Sequence, residues 1–98
     1  MPRQTLDELQ ARRAELLQVA ARRGAKNLRV FGSVARREDT ARSDIDLLVE
    51  MEAGRSLVDL AGLREDMAEA LGRSVDVVTD RSLYPYLRER ILREAVPL

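Results

Sequence analysis

The sequence predicts an α/β (α+β) fold in which a small mixed β-sheet of three or four strands is flanked by helices. Three short runs, at 27–31, 45–49 and 75–78, are rich in branched and apolar side chains and are typical of strands. Longer stretches with apolar residues at helical spacing lie around them. With 98 residues, we expect a single domain spanning residues 1–98 with a modest core.

The first helix is predicted from a capping box in Thr5-Leu6-Asp7-Glu8. Apolar residues continue at helical spacing, as in one helix, until Gly24 ends it. Its arginines are interleaved with acidic residues, so we expect a solvated face and a structural role. The strand at 27–31 follows directly.

The second half of the chain contains two further predicted helices. Ser56, with Asp59 three residues later, opens the first of them, and Gly72 closes it. Because this helix lies between two predicted strands, it forms a crossover that permits parallel pairing. The last helix starts near Pro85 and precedes a short tail at 96–98. We expect its broad apolar face to cover the sheet, with part of it available to a partner.

The composition excludes several classes of chemistry. Seventeen basic residues balance seventeen acidic ones, so we expect no direct binding of nucleic acid. The chain has no cysteine and no histidine, which removes disulfides, thiolates, histidine-based zinc sites and Ser-His-Asp triads and leaves carboxylates as the credible catalytic groups. No run is apolar and long enough for a membrane span, and the N-terminus does not resemble a signal peptide. We therefore expect a cytoplasmic protein that does not bind membranes.

Two aspartates interrupt the strand predicted at 43–50. Asp is disfavoured in strands, yet Asp44 and Asp46 stand two positions apart beside Ile45, Leu47 and other apolar residues. Residues at this spacing project from the same face, where two carboxylates repel each other. A cation is needed between them, and Mg²⁺, which prefers carboxylate and phosphate oxygens, is the best candidate.

A phosphate-binding turn is predicted where the strand at 27–31 ends. Gly32 lets the backbone approach a phosphate closely, and the Ser33 hydroxyl can cap the turn or donate to the phosphate. Arg36 follows at once, and a guanidinium can bind phosphate oxygens with two hydrogen bonds. The turn and the acidic strand together indicate a site for a nucleotide and a metal.

A third carboxylate, Asp76, lies within the strand predicted at 74–78. If that strand is next to the acidic one, Asp76 can be a metal ligand or the base that takes a proton from an attacking hydroxyl. Structural alternatives remain open for all three acids. Asp44 could cap its strand, Asp46 could pair with Arg29 or Arg42, and Asp76 could face solvent from an edge strand.

Gly32-Ser33, ten further residues, then Asp44 and Asp46 and a later Asp76 on a strand resemble the polymerase-beta-like nucleotidyltransferases. The segments FGSVAR, SDIDLLVE, GRSLVDLAGL and GRSVDVVT are similar to minimal nucleotidyltransferase (MNT) proteins, the antitoxins of HEPN-domain toxins. The resemblance covers the chain from about Val30 onwards. Many relatives have Gly where this chain has Arg37, which leaves the path of the following loop open.

The resemblance implies the polymerase-beta-like fold and transfer of AMP from ATP to a hydroxyl, most simply a tyrosine of a HEPN ribonuclease toxin. It implies two Mg²⁺ ions, with catalytic and metal-binding roles for Asp44, Asp46 and Asp76. The implied nucleotide contacts are Gly32, Ser33, Arg36 and Ser43. It also implies a hetero-oligomer with the toxin.

Two other functions remain open. The protein could be an antitoxin that masks its toxin without catalysis, with a vestigial or regulatory nucleotide site. It could instead modify a small molecule such as an antibiotic, in which case a homodimer or a second subunit would have to complete the pocket.

Overall fold

The computed structural model describes residues 4–98 of the chain. The helices are α1 (Thr5–Ala11), α2 (Arg13–Arg22), α3 (Gly32–Ala35), α4 (Leu57–Leu71) and α5 (Pro85–Glu94). The strands are β1 (Ala25–Phe31), β2 (Ile45–Met51), β3 (Val75–Thr79) and β4 (Val96–Pro97), and a 3-10 turn spans Asp80–Ser82. Among the described residues, no helix is long and apolar enough to cross a membrane.

The four strands form one mixed sheet in the order β3-β2-β1-β4. Strand β1 is antiparallel to both β2 and β4, whereas β2 and β3 are parallel. The parallel pair is joined by α4, which confirms the predicted crossover. The predicted mixed sheet flanked by helices is therefore confirmed.

The main hydrophobic core lies on one face of the sheet. Ile45, Leu47 and Val49 alternate along β2 and are almost completely buried, together with Leu63 and Met67 of α4. Helix α2 packs against both β1 and α4 and closes this layer. Residues at the intervening positions of β2, beginning with Asp46, point to the opposite face.

Helix α4 begins and ends as the sequence predicts. The Ser56 hydroxyl accepts a hydrogen bond from the Val58 amide (3.2 Å), and the Asp59 carboxylate accepts one from the Ser56 amide (3.0 Å). Gly72 ends the helix with a positive φ of 66°. Because both ends are capped, α4 is a fixed connection between β2 and β3.

The prediction of one continuous first helix with a capping box at Thr5 is wrong. The chain breaks at Arg12, whose guanidinium donates to the Ala70 carbonyl oxygen (2.8 Å) on α4, and α1 and α2 are separate helices. Gln4 occupies the N-cap position without a side-chain cap. The Thr5 hydroxyl donates instead to Asp39 (2.6 Å), a contact across the fold that outcompetes the local one.

The predicted C-terminal tail is in fact strand β4. Val96 and Pro97 pair with β1, and the Leu98 amide donates to the Leu28 carbonyl oxygen (3.0 Å). Pro97 lacks an amide hydrogen, which an edge strand tolerates. Burial of the Leu98 side chain, which is 8% exposed, favours this pairing.

Helix α5 starts at Pro85 as predicted, but it covers the sheet less than expected. None of its residues is fully buried. The adjacent Tyr84 and Tyr86 are 68% and 79% exposed, and their rings stack with centroids 6.0 Å apart. This helix is therefore attached to the body by only a small part of its surface.

Candidate active site

The site lies where β1 ends and β2 begins. Because these strands are antiparallel, Phe31 pairs with Asp46, and the turn that follows Phe31 is brought against the start of β2. Gly32 adopts a positive φ of 71°. A Cβ at this position would lie 3.2 Å from Cγ of Asp46 and collide with its carboxylate oxygen. The backbone therefore approaches the Asp46 carboxylate as only glycine allows.

Asp46 and Asp76 face each other across the parallel pair. They are partners in the register of β2 and β3, as expected if the two strands are neighbours. Asp44 is exposed and lies one residue before β2 begins, so the prediction that it belongs to the strand is wrong. It remains close enough for its charge to act on Asp46.

Burial raises the pKa of Asp46 above its ordinary value, and the negative charges of Asp76 and Asp44 raise it further. The positive charge of Arg36 acts in the opposite direction, but less strongly. The three acids therefore form a cluster whose charge is incompletely compensated. Asp46 is half-buried in it, whereas Asp44 and Asp76 are exposed.

The alternative in which Asp46 pairs with Arg29 or Arg42 is wrong. Arg29 donates to Asp80 at distances of 2.5 and 3.3 Å. Within residues 4–98, Asp46 has no hydrogen bond or ion pair with any side chain, including that of Arg42. The alternative for Asp76 is that it faces solvent from an edge strand. The structure agrees with that placement, because β3 is an edge strand and the Asp76 side chain is exposed.

The fit to a metal ion is partial. No group of three or more Asp or Glu side chains in the described part of the chain is arranged closely enough to hold a metal as it stands. The donor chemistry nevertheless suits Mg²⁺, because Asp46 is an unpaired carboxylate beside two others. A divalent cation bound between them would relieve their mutual repulsion.

The predicted phosphate-binding groups already hold an anionic side chain. The Gly32 amide donates to Oε1 of Glu94 (2.8 Å), and Nη1 of Arg36 lies 3.2 and 3.1 Å from the two carboxylate oxygens of Glu94. The hydrogen bonds that Arg36 donates to Glu38 and then to Glu94 raise the pKa of Arg36. Sequence reasoning missed Glu94, which is distant in sequence and carries no local motif.

The two predicted serines differ in their surroundings. Ser33 makes no cap, since α3 has Phe31 at its N-cap position without a side-chain hydrogen bond. Ser43 is engaged within the loop before β2, where its hydroxyl accepts from the Thr40 amide (2.9 Å) and its carbonyl oxygen accepts from Arg73 (2.8 Å). The Ser33 hydroxyl therefore remains the better placed of the two for a ligand.

The loop after Arg36 takes its path from the backbone conformation of Arg37. Its φ is +59°, in the left-handed region that glycine adopts most easily. The guanidinium donates to both carboxylate oxygens of Asp7, at 2.8 and 3.0 Å. The loop therefore keeps the turn that a glycine would make, with the arginine side chain directed to α1.

A cavity of about 620 Å³ lies at the other end of the sheet and does not include these residues. It is lined by basic side chains such as Lys26 and Arg88 and by acidic ones such as Glu50. The candidate active site is instead an open acidic surface beside a glycine turn. Chemistry, rather than the size of a cavity, identifies it.

Comparison with known proteins gives a consistent family. The nucleotidyltransferase domain model matches residues 13–98. The chain is 45% identical over 82 residues to a Methanocaldococcus jannaschii protein provisionally assigned as protein adenylyltransferase MJ0435, covering 84% of this chain and 88% of the other. It is 36% identical over 93 residues to protein adenylyltransferase MntA of Thermococcus cleftensis, covering 94% of each.

Solved structures confirm the predicted fold. One, provisionally assigned as a minimal nucleotidyltransferase, superposes with a TM-score of 0.85 and 53% identity over 95% of each chain. A toxin–antitoxin structure with AMP-PNP superposes with a TM-score of 0.71 and 23% identity, covering 89% of this chain and 69% of the other. The second likeness shows a shared fold only.

Proposed function

The chain belongs to the nucleotidyltransferase domain family and is an enzyme of that class, and we propose that it is an antitoxin that adenylylates its toxin. It transfers AMP from ATP to a hydroxyl, a tyrosine of a HEPN ribonuclease, and so neutralises that protein in the cytoplasm. The proposal is supported by the relatives named protein adenylyltransferase and by the toxin–antitoxin structures of the same fold.

One observation carries the proposal. The half-buried Asp46 has no compensating side chain, faces Asp76 and touches a glycine turn. A structural acid at this depth would have a basic partner, as Asp80 has in Arg29. An uncompensated acidic cluster beside groups that bind anions is suited to a cation with an anionic ligand, as in a metal–nucleoside triphosphate.

The residues have distinct roles in the proposed reaction. Asp44 and Asp46 hold Mg²⁺, and Asp76 assists them and takes the proton of the acceptor hydroxyl. When bound, Mg²⁺ neutralises negative charge on the phosphates. The Gly32 amide, the Ser33 hydroxyl and the guanidinium of Arg36 hold the outer phosphates, and Ser43 positions the loop that carries Asp44.

The bond changes follow from this arrangement. The acceptor oxygen forms a bond to the α-phosphorus, the bond from that phosphorus to pyrophosphate breaks, and the acceptor proton passes to Asp76. Positioning and electrostatics supply most of the catalysis, so neither histidine nor cysteine is needed. Exposure of Asp44 and Asp76 leaves the reacting face open to a protein acceptor.

The test is intact-mass analysis of the HEPN toxin after incubation with this protein, Mg²⁺ and each of the four nucleoside triphosphates. We expect a mass increase of one or more AMP units with ATP, and none with the D44N/D46N variant. The matched control is E65Q/E69Q, which removes two exposed carboxylates of α4, the helix that covers the face of the sheet opposite to Asp46.

Neutralisation by masking is the second candidate, favoured by the lack of a preassembled metal site within residues 4–98. A stable complex without any mass change, together with protection of cells by D44N/D46N equal to that by wild type, would establish masking and contradict adenylylation. Modification of an antibiotic without the toxin would contradict both.

A further inference from the structure

The end of α5 occupies the groups to which the proposed function assigns the phosphates. The Glu94 carboxylate accepts a hydrogen bond from the Gly32 amide (2.8 Å) and binds Nη1 of Arg36 through both oxygens. Its side chain is only 20% exposed. The contact therefore joins the end of α5 to the start of α3. The two residues, Gly32 and Glu94, are 62 positions apart in the sequence.

A carboxylate and a phosphate make the same demands on such groups. Both present anionic oxygens to backbone amides, and both accept paired hydrogen bonds from a guanidinium. The Gly32 amide has one hydrogen to donate, and Glu94 accepts it at a distance typical of a full hydrogen bond. A phosphate oxygen can take that hydrogen only when Glu94 has moved.

We propose that Glu94 is an internal competitor for the triphosphate, which the nucleotide must displace from Gly32 and Arg36 before it can bind. This inference rests on the proposed function, because it assumes that a nucleoside triphosphate binds at this turn. It adds a regulatory step, the displacement of Glu94, that the transfer reaction itself does not require. The described structure is then the closed state, and the nucleotide-bound protein has Glu94 released from the turn.

Helix α5 is built so that this release is feasible. None of its residues is fully buried. In the described part of the chain, Glu94 supplies all the hydrogen bonds and ion pairs that side chains of α5 make to the rest of the fold. Arg88, Arg90 and Arg93 on the same helix make none. Losing the Glu94 contact therefore removes these side-chain links of α5 to the fold without exposing any fully buried residue of the helix.

The first experiment measures the affinity for Mg·ATP by calorimetry. E94A removes the competing carboxylate, and E94Q removes its charge at nearly constant size. The matched control is E89A, since Glu89 is exposed on the same helix and has no such contacts. We expect Mg·ATP to bind about 5- to 20-fold more tightly to E94A, because the binding-competent fraction rises. E94Q should lie between E94A and wild type, and E89A should equal wild type.

A second experiment separates displacement from simple repulsion between Glu94 and the nucleotide. In wild type, amide hydrogen exchange across α5 (85–94) should become faster when Mg·ATP binds, because α5 loses its anchor, whereas exchange in β4 should not change. In E94A, exchange should already be fast and should not change further. Tighter binding to E94A with unchanged exchange in wild type would overturn the proposal in favour of repulsion alone.

The remaining outcomes distinguish failure of the Glu94 competitor from failure of the proposed function. Wild type that binds Mg·ATP as tightly as E94A and E94Q would overturn the competitor and leave the proposed function intact. Weaker binding to both Glu94 variants would make Glu94 a nucleotide-binding residue, which also overturns it. If neither wild type nor E94A binds Mg·ATP, the proposed function fails and the competitor fails with it.

Discussion

The acidic side chains at the two ends of the parallel strand pair β2–β3 differ in whether they have a basic partner. At the end where β3 finishes, Asp80 is held by Arg29, which is itself 8% exposed. At the end where β2 begins, Asp46 is half-buried beside two further acids and has no basic partner among the described residues. The first end is a structural ion pair. The second end carries a charge imbalance that packing alone does not explain, and this imbalance is what makes it the candidate active site.

Removing the uncompensated acids should have the largest effect on activity. We expect D44N/D46N to lower the transfer rate by about 10³-fold or more, because in the proposed reaction these carboxylates would hold the metal that neutralises the phosphate charge. The measurement is the initial rate of AMP incorporation into the toxin, with E65Q/E69Q as control. Equal rates for D44N/D46N and wild type would remove these acids from the chemistry.

Removing the compensating arginine should have the largest effect on stability. R29A leaves Asp80 partly buried without its partner, and we expect the free energy of unfolding to fall by about 3 kcal/mol. Urea denaturation measures this change. R42A is the control, because the Arg42 side chain is exposed and makes no ion pair in residues 4–98. A loss below about 0.5 kcal/mol for R29A would make the pair a surface-like contact.

Removing the charge of Asp46 should stabilise the protein at neutral pH, whereas removing Arg29 should destabilise it. Because its folded pKa is raised, the favourable contribution of this acid is present below the unfolded pKa, near pH 4, and is lost as pH rises through the folded pKa. We expect D46N to be more stable than wild type at pH 7 without Mg²⁺, by less than about 1 kcal/mol because solvent screens the charges.

That advantage should disappear as the pH is lowered towards 4, where the wild-type acid becomes protonated like its neutral replacement. Thermal unfolding between pH 4 and 8 measures it, with E65Q as the control for loss of an exposed carboxylate. A D46N variant that is less stable than wild type at pH 7 would show that Asp46 has a compensating partner after all.

An exposed ion pair should matter least. R37G removes the contact with Asp7 but also relieves a positive φ of 59°. These effects have opposite signs, so we expect the free energy of unfolding to change by no more than about 0.5 kcal/mol. Urea denaturation beside R37A, which loses the contact but keeps the strain, separates the two. A loss above 1 kcal/mol in R37G would make this loop contact a major support.

Local signals in the sequence were sufficient for much of the fold. The caps of α4 depend on Ser56, Asp59 and Gly72, which lie next to the turns they determine. The parallel pairing that brings Asp46 opposite Asp76 follows from the strand–helix–strand order. The glycine turn beside Asp46 was likewise accessible, because the residue types that make it are adjacent in the chain.

What the sequence did not predict depends on contacts between distant residues. Nothing near Glu94 indicates that its carboxylate reaches Gly32, since that requires the positions of α5 and α3 together. At Arg12, where the first helix breaks, the side chain binds a carbonyl oxygen of α4, and the Thr5 hydroxyl binds Asp39 instead of capping α1. In each case the hydrogen bond joins residues far apart in the sequence, so that no local pattern indicates it.

Strand β4 has a consequence for how the molecule behaves in a concentrated solution. Without it, the outer side of β1 would present a row of unpaired amides and carbonyl oxygens, a template on which strands of other molecules can add. Val96 and Pro97 cover part of this row, and the proline offers no amide hydrogen to the next strand. The two-residue strand thus protects the sheet from growing edge to edge into an aggregate.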